Sequence, residues 1–144
     1  MRRRRDDRGQ TIFLAPVGFI IVLLLGGAVL EAGNLHLRQR QLDDLADSAA
    51  SNAAGAGFDI NHFRSTGAIR VDAGAARDVV DDTIGFSNLQ SASVVDMSAV
   101  SAPEPGILVE LSYTHDFIFG RQVFGLSQTL DAQGSASLVL SAGP

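Results

Sequence analysis

The 22 residues from Gly9 to Leu30, GQTIFLAPVGFIIVLLLGGAVL, carry no charged side chain, and no other feature of the sequence limits the fold as severely. A helix needs about 20 mainly apolar residues to cross a hydrocarbon core of roughly 30 Å. A helix on the surface of a soluble domain would show a polar stripe, and a chain of 144 residues has little else with which to cover an apolar cylinder. The segment therefore predicts one membrane span, in contact with the lipid bilayer. Arg2, Arg3, Arg4, Arg5 and Arg8 precede it, against Arg38 and Arg40 beyond its far end, and this asymmetry predicts an N-terminus held in the cytoplasm with the C-terminal part outside. The apolar run exceeds the roughly 7 to 15 residues of a cleavable signal, so it reads as a retained anchor. In a cleaved secretory form, the small triplet Gly26-Gly27-Ala28 would be the place of cutting.

Charge is distributed as unevenly as hydrophobicity. The net charge is −5, every basic residue is Arg, and residues 1–8 alone carry five Arg against Asp6 and Asp7, leaving −8 for the rest. An acidic body with a short basic head lacks the broad cationic face that follows a phosphate backbone, which argues against nucleic-acid binding. With no Cys, a disulfide framework, a thiolate nucleophile and a Cys-based zinc site are all excluded.

Within the span, Pro16 cannot donate a backbone hydrogen bond, so it predicts a kink or the true start of the helix. The outer end is built of small residues: Gly26, Gly27, Ala28, Ala32 and Gly33, with Glu31 among them. Ala28 and Ala32, four apart with Gly33 beside them, would let a second helix approach closely. Glu31, at the outer edge, can reach water or pair with a neighbouring helix, and solvation at the interface is the simpler expectation. These six residues are the candidate helix-packing and assembly surface. Further along, Leu35, Leu42, Leu45, Ala46, Ala49, Ala50, Ala53 and Ala54 recur at spacings of three, four and seven. One helix is thus expected from about Ile12 to Ala54, roughly 65 Å long, with its alanine-rich outer part packed tightly on a small domain. The sequence divides into a basic head (1–8), a span (9–30), a helical extension (31–57) and a small domain (58–144).

In that domain, FDINHFRSTGAIRVD predicts two short extended pieces around a turn at Gly67. Asp72 stands as an N-cap before AGAARDVVDDTIGF, where Ala76, Val79, Val80, Thr83 and Ile84 share one helical face and Gly85 ends the helix. Three strands follow. Ala92 to Val100 is the first, and in the second Ile107, Val109, Leu111 and Tyr113 alternate with Leu108, Glu110, Ser112 and Thr114. The turn between them is Pro103-Glu104-Pro105-Gly106. In the third, Leu130, Ala132, Gly134, Ala136, Leu138 and Leu140 alternate with polar neighbours. The expected class is α+β: a long N-terminal helix, one further helix and an antiparallel sheet with one face on helices. The intervening FIFGRQVFGLSQ is rich in large apolar residues. It is expected to close the core, or else to expose Phe117, Phe119 and Phe124 as a partner patch.

No chemistry stands out. His36, His62 and His115 lack metal-ligand spacing, His115 and Asp116 point to opposite faces of a strand, and no nucleophile motif or nucleotide fingerprint is present. The acidic residues Asp43, Asp44, Asp47, Asp81 and Asp82 form no calcium loop. The expectation is a protein that is not an enzyme, with no cofactor, metal or small-molecule substrate.

The order of features from Arg8 to Gly57 resembles the N-terminal segment of the TadE/TadG-like proteins of the Tad (tight adherence, Flp) pilus system. The resemblance is carried by Arg8-Gly9-Gln10 before the span, Pro16 within it, Glu31 at its outer end, Arg40-Gln41-Leu42, and Ala46-Asp47-Ser48-Ala49-Ala50. It implies a minor-pilin-like assembly component in the cytoplasmic membrane of a bacterium, acting outside it with other pilin-like or pilus-assembly subunits as partners. Leu14 stands where Flp-type prepilins carry a Glu five residues after the cleaved Gly, here Gly9, a departure that argues against that processing. The chain is also too short for the adhesion-like domain of the longer TadG-type members. Alternative readings are a pseudopilin of a related secretion system, or an anchored or secreted domain that binds a ligand through the Phe117–Phe124 loop.

Overall fold

The computed structural model describes residues 8–89, 92–100, 105–117 and 127–138. Helix α1 runs unbroken from Arg8 to Ala56, 49 residues or about 74 Å, and takes Pro16 into its first turns. Pro16 is the ninth residue of α1 and has no N–H to give the carbonyl four residues earlier, an interruption that membrane helices tolerate. α2 (Ile60–Thr66) and α3 (Ala73–Gly85) follow, then strands β1 (Ala92–Val100), β2 (Gly106–Asp116) and β3 (Ser127–Ser137). The strands form one antiparallel sheet in the order β1-β2-β3. The α+β expectation therefore holds.

One stretch differs from the sequence reading. The two extended pieces of residues 58–71 shrink to a single bridge between Phe58 and Val71, and α2 lies between them. Its ends explain it. The Asp59 carboxylate accepts from the backbone N–H groups of Asn61 and His62 at 3.1 and 2.9 Å, and Gly67 closes the helix in the left-handed region at φ 73°. A similar cap opens α3, where Asp72 accepts from Gly74 and Ala75 at 2.9 and 3.2 Å, as the sequence indicates.

The core lies between the outer half of α1, α3 and the inner sheet face. Leu42, Ala46, Ala49, Ala50 and Ala53 of α1 are fully buried, as are Ala76 and Val80 of α3 and Val109 of β2, with Ile107 and Leu111 almost so. Register puts Val109 opposite Gly134 on one side and Met97 on the other, which sets the inward residues of the three strands in rows beneath α1. A bulge between Val94 and Asp96 leaves Val95 exposed on the outer side. Gly134 has a specific reason to be glycine. A Cβ there would run into the carbonyl of Ala46, so α1 lies directly on the backbone of β3. The alanine grading of the helix and this glycine together produce the close approach.

Candidate functional site

The two halves of α1 have different surroundings. From Leu14 to Leu30 every large apolar side chain is exposed, Leu24 by 70%, whereas from Leu42 to Ala54 the inward side chains are enclosed by the sheet and α3. The stretch Leu14–Ala56 contains a helix long and apolar enough to cross a membrane, and its apolar window is only 6% buried within the protein. A helix apolar on all sides and bare of packing among the described residues is suited to hydrocarbon, where the backbone satisfies itself and the side chains need no protein partner.

The small residues cluster at the junction of these halves. Gly26, Ala28, Ala32 and Gly33 are exposed and Gly27 is half-buried. Nothing outside the helix lies within 4 Å of a Cβ built on Gly26 or Gly33. At about 100° per residue, Ala28 and Ala32 share one face of α1, whereas Gly33 and Gly26 lie roughly 100° further round, with the exposed Val29 between the two pairs.

Glu31 departs from the expectation of interfacial solvation. It is only 9% exposed, and its Oε1 lies 3.6 Å from Nε2 of His115, near the end of β2. The physical reason is tertiary: β2 runs antiparallel to β1 far enough to bring its last residues back to the outer end of the apolar half-helix. His115 is 5% exposed, while Asp116 beside it on the strand is exposed, as alternation requires. Phe117 is half-buried and sets its ring edge-on to His115, with centroids 5.5 Å apart. Phe119 and Phe124, the rest of the expected partner patch, lie outside the described residues.

Among the described residues no group of three or more His, Asp or Glu side chains is arranged to hold a metal ion. The outer sheet face has a shallow depression of about 450 Å³ lined by Val95, Glu110, Leu111, Asp131, Ala132 and Gln133. There the Gln133 amide donates to Glu110 at 2.7 Å.

The fold and this junction define a helix-led α+β protein, with one half of the leading helix suited to a membrane and the other built into a small sheet domain. Residues 9–56 match the model of the Tad family, described as Putative Flp pilus-assembly TadE/G-like. The match coincides almost end to end with α1. No curated protein and no solved structure matches the chain. The family suggests a structural role in assembly, with other pilus components as partners and the apolar half-helix as a membrane anchor.

Proposed function

We propose that the protein is a membrane-anchored, minor-pilin-like assembly component of a Tad/Flp-type pilus, acting by helix packing. Residues 9–30 span the cytoplasmic membrane with the N-terminus inside, residues 31–57 continue the helix outward, and residues 58–144 complete the domain outside. The observation that carries this reading is the coincidence of the family match with α1, together with the exposed small residues Gly26, Ala28, Ala32 and Gly33 on that helix. Small side chains let two backbones come close, and in a bilayer this packing replaces the hydrophobic drive that lipid removes. Ala28 and Ala32 on one face, with Gly33 and Gly26 on the other, are the contact residues for pilin-like helices, and Glu31 and Gly27 border them.

The test is to replace Ala28, Ala32 and Gly33 with Leu in the full-length protein and to follow in-membrane crosslinking to other pilus components alongside pilus formation. Loss of both, with the membrane level of the protein unchanged, is the expected result. Unchanged crosslinks and pili would remove the packing role. Protease protection of the first eight residues in sealed inverted and right-side-out vesicles checks the orientation independently.

A further inference from the structure

We propose that a second copy of this chain packs in parallel along the bare side of α1, on a seam of leucines and glycines that faces away from the sheet domain. The inference deepens the helix-packing reading by naming one partner, and it rests on that reading for the placement of α1 in the membrane.

Leu37 is where the seam shows itself. Between Glu31 and Ala56 it is the one large apolar side chain of α1 that is exposed, at 60%, whereas Leu35 and Leu45 pack against the core and Leu42 lies within it. It stands about 10 Å beyond Leu30, past the end of the uncharged run and so past the hydrocarbon that would cover it. Steps of seven lead back from Leu37 to Leu30 and Leu23, and Gly33 and Gly26 fall between them at alternating spacings of four and three. All five residues are exposed, and a Cβ built on either glycine meets nothing within 4 Å. That alternation keeps residues on one face of a helix that winds around an equal partner. Leu35, Leu42 and Ala49, also seven apart, stand on the opposite side of α1 and face the domain. The helix thus carries two seams, one filled by its own sheet and one bare among the described residues.

A shared membrane fixes the direction of approach. Two copies anchored the same way meet in parallel, related by a two-fold axis along the bilayer normal. In that arrangement the Leu30 knob enters a hole bounded by Gly26, Val29, Leu30 and Gly33 of the other copy, and the two glycines let it seat deeply. The apolar seam ends at Arg40, and Asp44 follows at the next position of the same face. Both are exposed, and neither has an ion pair within the chain among the described residues. Across the two-fold axis each Arg40 lies about one turn from the other copy's Asp44, so the ion pair forms twice. Opposite charges at adjacent positions make the surface complementary to itself, and this singles out a second copy as the occupant.

The experiment uses the purified full-length protein alone in liposomes, where no other pilus subunit is present. The chain has no Cys, so each single substitution supplies one thiol per copy. Oxidation should join Leu37→Cys into a disulfide-linked dimer, while Ala32→Cys, exposed on a different face, should stay monomeric. In the Leu37→Cys protein, adding Arg40→Asp should lower the dimer yield severalfold by setting like charges together. Adding Asp44→Arg as well should restore the yield, because the exchanged charges are again self-complementary. Equal yields from the two thiols, no dimer from either, or a double exchange that fails to restore the yield would overturn the second copy as the occupant. Each of those outcomes leaves untouched the crosslinks to other pilus components in cells, so the two readings fail separately.

Discussion

The two halves of α1 share one secondary structure and differ in what they touch. Leu14 to Leu30 is exposed on every side and built of large apolar residues, while Leu42 to Ala54 is buried along one stripe and built mainly of alanine. Large side chains suit a fluid lipid neighbour, which fits any shape, and the exposed half is long and apolar enough to have one. Alanine serves where the neighbour is a sheet whose backbone must come close. Side-chain volume thus records which solvent each half meets, and the change between them falls at Glu31, the first charged residue after the run.

The comparison is most open to breakage at its tightest contact. Gly134→Val should force β3 off Ala46 and destabilise the sheet domain by about 3 kcal/mol or more, read as a lowered unfolding midpoint of the full-length protein in detergent. An unchanged midpoint would mean that α1 does not rest on the β3 backbone. Next comes Leu24→Arg in the bare half. It should raise the cost of membrane insertion by ~3 kcal/mol, seen as a drop in the membrane-integrated fraction. Were Leu24 instead in a protein core, the same change would lower the unfolding midpoint at constant membrane integration.

Ala49→Leu sharpens the contrast, because added volume at this fully buried position should cost about 1–3 kcal/mol of domain stability. The same change at exposed Ala28 should leave stability within about 0.5 kcal/mol. If the two substitutions gave equal shifts, the division of the helix would fail. The smallest effect is expected away from α1. Asp72→Ala removes the acceptor for Gly74 and Ala75 and should cost about 1 kcal/mol, with no effect on membrane integration.

Much of this architecture was legible in local pattern. Alternation located β2 and β3, and Asp72 with Gly85 bounded α3. The 3-4-7 spacing carried α1 through to its alanines. α2 was misread because Phe58, Ile60 and Phe63 fit an extended or a helical spacing over so short a stretch, although Asp59 and Gly67 were the cap signals that mark it. In the candidate site, the small residues and the Ala28–Ala32 spacing were legible, while the inward turn of Glu31 was not. The third strand was recognised with Gly134 among its inward positions, yet the reason for a glycine there could not be read from β3 alone.

The sequence by itself determined the membrane-length helix, its alanine-graded continuation and the alternating strands, because each depends on residues within a few turns or one strand of each other. Only the tertiary structure decided that β3 lies against the backbone of Ala46 and that His115 returns to Glu31. Those contacts depend on the register of the sheet and on where it packs along α1. Both are set by the summed burial of many residues, and no local pattern carries that sum.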